Sequence, residues 1–224
     1  MNRLAIFDCD GTLVDSGASI HNALAATFTE HGLAVPPQRD SRRVIGLSLV
    51  EAMAALVPAA SAAEHVALSE TYKIKFSEAR AGGRVEEPLF DGIAVLLDAL
   101  EADGWLLAVA TGKSDRGLGF CLNCHGLASR FVSRQTADRH PSKPHPSMAL
   151  QAMADTGAAP ETTIVIGDTI YDMGMARAAG AVGIGAGWGY HDAGELLAGG
   201  ALAVAAQPLD VLQAIARMGA KIDG

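Results

Sequence analysis

Three short apolar runs, each stopping at a polar side chain beside a glycine, constrain this 224-residue chain more than any other feature. LAIFD, residues 4–8, ends in Asp8 and is followed by Asp10 and Gly11; WLLAVAT, residues 105–111, ends in Thr111 before Gly112; TTIVIGD, residues 162–168, ends in Gly167 and Asp168. None of them alternates polar with apolar positions, so each reads as a central parallel strand covered on both faces, and helical pattern follows each one. In an open α/β sheet, ligands bind beyond the carboxyl ends of the strands. The expected fold class is α/β, a Rossmann-like parallel sheet, with the three polar endings gathered at one site.

The spacing of the runs adds a second element. About a hundred residues separate Asp8 from Thr111, several times what one crossover helix needs. Within that gap Ile20, Ala23, Leu24, Thr27 and Phe28 follow a 3.6-residue period, with Gly32 as the stop. Ser48 and Glu51 have capping-box spacing ahead of Leu49, Met53, Leu56 and Val57, and a third helix is expected over 62–79, before Gly82 and Gly83. The chain therefore divides into a core of residues 1–15 and 85–224 and an inserted helical cap of residues 16–84.

Half of the residues are hydrophobic and 19% are charged, which suits a buried core and not a disordered chain. A net charge of −8 argues against nucleic acid as a partner, since phosphate backbones are held by a basic face. The N-terminus carries no signal-peptide core, the apolar stretch around 52–63 is broken by Pro58 and Ser61, and three cysteines make no disulfide framework. A cytoplasmic protein with no membrane partner is expected. CLNCH, residues 121–125, matches a c-type haem attachment pattern, or a cysteine pair for a metal, and stands as the competing non-enzymatic reading. No second such pair offers further zinc ligands, and export, which haem attachment normally needs, has no signal here. Leu118, Cys121 and Leu122 share a helical face, Gly126 is a stop, and His125 falls in the last turn, where it suits the negative helix end. Cys121 is then a small core residue.

Chemistry concentrates in FDCDGTLVDS, residues 7–16. Asp8 and Asp10 are two residues apart at a strand end, so both carboxylates can lean to one face and call for a divalent cation. A carboxylate can attack phosphorus to form an aspartyl phosphate, and a second can pass a proton to the leaving oxygen and take one from water. Gly11 and Thr12 would bring backbone N–H groups close to a phosphate, and the Cys9 backbone, not its thiol, would face it. Taken alone, the pair also reads as two turn-forming aspartates. In the same way Thr111 alone reads as a strand-end turn residue, Lys143 as a surface charge, and Asp168 with Asp172 as an N-cap and a first-turn acid.

FDCDGTLVDS resembles the first motif, D-x-D-G-T, of the haloacid dehalogenase superfamily in its phosphatase branch. Thr111 in AVATGKS, Lys143 in SKPHP, and Gly167, Asp168 and Asp172 in GDTIYDM match the second, third and fourth motifs, in family order along essentially the whole chain. The inserted helices match the cap that this family places between its first two motifs.

The resemblance implies Mg²⁺ held by Asp8, the backbone carbonyl of Asp10 and Asp168, with Asp172 as ligand or orienting neighbour. Asp8 would be the nucleophile and Asp10 the general acid and base. Gly11, Thr111, the N–H of Gly112 and Lys143 would bind the transferring phosphate. Asp10 sets the chain apart from the dehalogenase branch, and Lys73 and Lys75 on a cap helix are weak candidates for a phosphonatase Schiff base. VIGLSLVEAM, LFDGI and GAGWGY look like phosphoglycolate phosphatases and nearby pyrophosphatases, while a β-phosphoglucomutase-type mutase shares all four motifs. The implied partner is a small phosphorylated metabolite, phosphoglycolate first, acted on by a monomer or homodimer. Arg43, ahead of Gly46, is the expected cap contact to substrate.

Overall fold

The computed structural model describes residues 2–222, with side chains described up to Arg217. β1 (Asn2–Phe7), β2 (Trp105–Thr111), β3 (Phe131–Thr136), β4 (Ala158–Gly167), β5 (Val182–Ala186) and β6 (Ala203–Ala205) form one parallel sheet in the order β3-β2-β1-β4-β5-β6. The chain order reverses between β1 and β4, where Phe7 pairs with Ile166 and the Asp8 amide donates to the Ile166 carbonyl at 2.9 Å. A ligand crevice is expected at such a switch point. Asp8 and Asp168 stand on its two sides, at the carboxyl ends of adjacent strands.

The strands lack alternation because both sheet faces are buried. On β1, Ala5 and Phe7 enter one apolar cluster with Ile93, Leu97 and Leu122, while Leu4 and Ile6 enter another with Met148, Val165 and Met175. The first cluster is covered by α5 (Ile93–Ala102), α6 (Asp115–Cys124) and α10 (Asp210–Ile222), the second by α7 (Ser147–Thr156) and α8 (Ile170–Ala178). α9 (Ala193–Gly199) lies beside α8 and seats Leu196 against Met173.

Between β1 and α5 run α1 (Gly17–Glu30), α2 (Gln38–Arg43), α3 (Leu49–Leu56) and α4 (Ala62–Ala81). They have an apolar cluster of their own, built on Leu24, Phe28, Met53, Leu68 and Tyr72. The two chain crossings into this unit are bonded to each other: Asp15 N–H donates to the Pro88 carbonyl at 2.9 Å and Phe90 N–H to the Leu13 carbonyl at 3.0 Å. α1 ends before Gly32, which takes φ +67°, as its period predicts.

The capping box expected at Ser48 and Glu51 is not formed. α3 does begin after Ser48, but the Ser48 side chain accepts no cap bond, and its backbone N–H donates to Ser142 Oγ at 2.8 Å instead. A core residue thus anchors the start of an inserted helix. The box of this unit is at the next helix, where Ser61 and Glu64 satisfy each other at the start of α4. CLNCH lies on α6 and its exit, with Cys121 buried, Cys124 exposed and Gly126 at φ +66°. The His125 ring bonds the Glu87 carbonyl at 2.7 Å, which replaces the expected role at the helix end. Among the described residues no helix is long and apolar enough to cross a membrane.

Candidate active site

Asp8 leaves β1 into a tight loop. Leu13 and Val14 N–H groups converge on the Cys9 carbonyl at 2.9 and 3.0 Å, and the Gly11 N–H donates to the Val14 carbonyl at 2.9 Å. That last bond corrects one expectation: the Gly11 amide is spent on the turn and does not face a phosphate. Its φ of +84° needs glycine, and any Cβ there would collide with the Asp168 carboxylate. The Thr12 side chain has a role of its own, since its hydroxyl donates to Asp168 Oδ1 at 2.8 Å. The Cys9 amide donates to Asp8 Oδ1 at 2.6 Å, while its buried thiol points away, 3.7 Å from the Cys121 sulfur.

Lys143 joins the strand ends. Its buried Nζ lies 2.9 Å from Asp8 Oδ1 and 2.6 Å from Asp172 Oδ1. Asp172 also serves the start of α8: Oδ2 accepts from the Thr169 amide at 3.1 Å and hydroxyl at 2.7 Å, and the N-cap is Thr169, not Asp168. Asp168 accepts from the Tyr190 amide at 3.0 Å through Oδ2. Oxygens of Asp8, Asp168 and Asp172 lie within 4.8 Å of one another, all three residues buried.

Three carboxylates share this pocket with one ammonium, an excess of negative charge shut away from water. Burial, and then Asp172 and Asp10, push the Asp8 carboxyl up to about 7 despite the opposing Lys143. Burial, and then Asp8 and Asp172, raise Asp168 as well. Lys143 loses to burial but gains more from Asp172 and Asp8, and is held above the ordinary lysine range. Asp8 Oδ2 has no hydrogen-bond partner although it is buried. A hard divalent cation that takes carboxylate oxygens and keeps some waters fits this donor set.

Asp10 faces elsewhere. Its Oδ1 accepts from the Ser16 hydroxyl and pairs with Lys113 Nζ at 2.8 Å, and Lys113 also reaches Glu87 Oε1 at 2.6 Å. Arg80 on α4 closes the row, 2.8 Å from Glu87 Oε2. Burial alone would raise Glu87, yet Lys113 and Arg80 hold its carboxyl below the usual range. Neither Lys113 nor Ser16 stood out in the sequence, although Lys113 lies two residues beyond Thr111 in TGKS. Thr111 is buried with its hydroxyl accepting from the Lys113 amide at 3.2 Å.

The inserted helices close the site from above. Gly46, at φ +96°, lies so near that a Cβ on it would be 3.8 Å from Asp8 Oδ2, and one on Gly112 would fall 2.5 Å from the Leu47 carbonyl oxygen. Arg43 does not enter the site. Its guanidinium pairs with Glu195 at 2.7 Å on the outer surface, where it is half exposed, and its carbonyl accepts from the Tyr171 hydroxyl at 3.2 Å. The reason is proximity: α9 presents a carboxylate directly beside the end of α2, so the expected substrate contact is a link between the inserted unit and the core.

The haloacid dehalogenase-like hydrolase family profile matches residues 5–186. The probable phosphatase IndB of Dickeya dadantii is 37% identical over 204 residues, covering 88% of this chain and 86% of that protein. A phosphoglycolate phosphatase of Xylella fastidiosa is 33% identical over 193 residues, covering 84% of this chain and 82% of that one. A hydrolase from Pseudomonas syringae, known from its crystal structure, superposes with a TM-score of 0.84 at 28% identity, over 96% of this chain and 99% of that one. A match of this extent, carried by a buried carboxylate cluster at the sheet's switch point, means that the chain belongs to the haloacid dehalogenase-like hydrolase family, in the phosphatase branch of its named relatives.

Proposed function

We propose that this chain is a Mg²⁺-dependent phosphomonoester hydrolase that works through an aspartyl phosphate on Asp8. The observation that carries the reading is Asp8 Oδ2, a buried carboxylate oxygen without a partner, in the pocket shared by Asp168, Asp172 and Lys143. Asp8 and Asp168 would hold the metal together with the Asp10 carbonyl, with Asp172 as a further ligand or orienting neighbour. When bound, Mg²⁺ supplies positive charge that offsets the phosphate and the crowded carboxylates.

A carboxylate oxygen of Asp8 attacks phosphorus, the bond to the alcohol oxygen breaks, and the departing alcohol takes a proton from Asp10. Water then attacks the aspartyl phosphate, returns a proton to Asp10 and frees phosphate. Lys143 keeps Asp8 oriented and neutralises part of the phosphate charge, while Thr111 and the Gly112 N–H bind the phosphate oxygens. Residues 16–84 act as a cap over a core of residues 1–15 and 85–224. Phosphoglycolate is one candidate substrate, supported by the relative of that name at 33% identity.

The test is phosphate release from a panel of phosphorylated metabolites with and without Mg²⁺. Asp8→Asn is expected to abolish release while thermal unfolding stays cooperative. Near-normal turnover by that variant, or full activity of the wild type in a strong chelator, would overturn the reading.

A further inference from the structure

Between the inserted helices and the core lies a cleft of about 490 Å³ whose lining includes Asp10 and Gly112. Since the proposed mechanism has Asp10 serve the leaving alcohol and Gly112 bind the phosphate, this cleft lies where the alcohol half of a substrate would sit. Its volume falls in the range that encloses organic molecules of many heavy atoms, far above what a two-carbon acid fills.

The walls are mostly apolar, although Ser48, Ser69, Glu70, Ser77 and Asp138 also line them. Ile45, Leu47 and Met53 come from the inserted unit, and Phe76 on α4 faces the side of α6 that carries Phe120. At the mouth, Val50, Val66 and Phe120 are 38%, 48% and 45% exposed, unusual for large apolar side chains gathered from three separate helices. The inner cations are already engaged. Lys113 is held by Asp10 and Glu87, and Arg80 by Glu87, so each inner cation already has an acidic partner. Arg80 lies 5.3 Å from the Phe76 ring and 5.2 Å from the Phe120 ring, so its face contributes to a flat, aromatic wall. A carboxylate on the substrate would have to displace a buried ion pair to find a cation, and removing one partner of such a pair is costly. Lys73 and Arg116 lie at the exposed rim, where charge contacts are weak.

We propose that the phosphomonoester taken by this cleft carries an uncharged, mainly apolar alcohol, aromatic or branched aliphatic, in place of a small acid such as glycolate. This inference rests on the phosphatase reading above. Its experiment compares kcat/KM for benzyl phosphate and phosphoglycolate with Mg²⁺, two esters of poor leaving alcohols, so that the ratio reads the cleft and not leaving-group chemistry. Benzyl phosphate is expected to be preferred by about tenfold or more, the worth of burying a ring. Val66→Ser, which shortens the wall without adding charge, is expected to lower kcat/KM for benzyl phosphate about fivefold more than for phosphoglycolate. Preference for phosphoglycolate, or an equal effect of Val66→Ser on both esters, overturns the inference and leaves the phosphatase reading standing. No phosphate release from either ester, nor from any member of the wider panel, overturns the phosphatase reading and this inference with it.

Discussion

Asp168 shows how closely a buried carboxylate is managed at the scale of single residues. Thr12 donates to one of its oxygens and the Tyr190 amide to the other, while Gly11 stays bare so that the loop can lie against it. Thr12→Val keeps the shape and removes only the donor. A buried acceptor left short of a partner costs about 1–3 kcal/mol, so urea unfolding of the metal-free protein is expected to show a loss of that size. Because the hydroxyl also fixes the direction of the carboxylate, the Mg²⁺ concentration for half-maximal activity is expected to rise about tenfold, the scale seen when a group supporting a metal ligand is lost. Unchanged stability and unchanged Mg²⁺ dependence would mean that the Tyr190 amide alone holds Asp168.

At the scale of elements, the start of α8 unites two readings that the sequence left apart. Asp172 closes a capping box with Thr169 through one oxygen and meets Lys143 through the other, so helix start and carboxylate pocket share one side chain. Thr169→Ala should cost about 1 kcal/mol as a lost cap, and it should also lower kcat, because Asp172 loses the contact that aims it. Thermal melting and steady-state rates on one preparation separate these effects; a stability loss with kcat intact would make the box purely structural. What was legible in the sequence follows from the same physics. β1, β2 and β4 are sandwiched between helices, so their lack of alternation and their polar ends survive as local signals, and Asp8, Lys143, Asp168 and Asp172 meet as their motifs imply. α2 was missed because QRDSRR carries no apolar period, and it buries only Ser41. Arg43 was misplaced because its partner Glu195 lies 152 residues away. The Ser48 box failed for a like reason, since a side chain from the core takes the amide that Glu51 would have served.

For the molecule as a whole, the decisive fact is that the inserted unit sits directly on Asp8. Asp8 is only 1% exposed, Gly46 lies over its free oxygen, and the Leu47 carbonyl presses on Gly112. On the mechanism proposed above, phosphorus has to reach Asp8, and the expected route is separation of the unit from the core about its paired crossings at residues 13–15 and 88–90. The Arg43–Glu195 pair resists that motion little, since an exposed ion pair is worth at most about 1 kcal/mol. The bond from the Ser48 amide to Ser142 Oγ, at 2.8 Å, marks a point of contact where a covalent tether would hold the unit to the core. Cys9 and Cys121 are buried, and Cys124→Ser removes the exposed thiol that could compete. With Ser48→Cys and Ser142→Cys in that background, oxidation is expected to cut phosphate release by about a hundredfold or more, as for an enzyme whose lid is locked. A thiol reductant is expected to restore it. Turnover that stays unchanged, with the disulfide verified by mass spectrometry, would show that substrate reaches Asp8 without this separation.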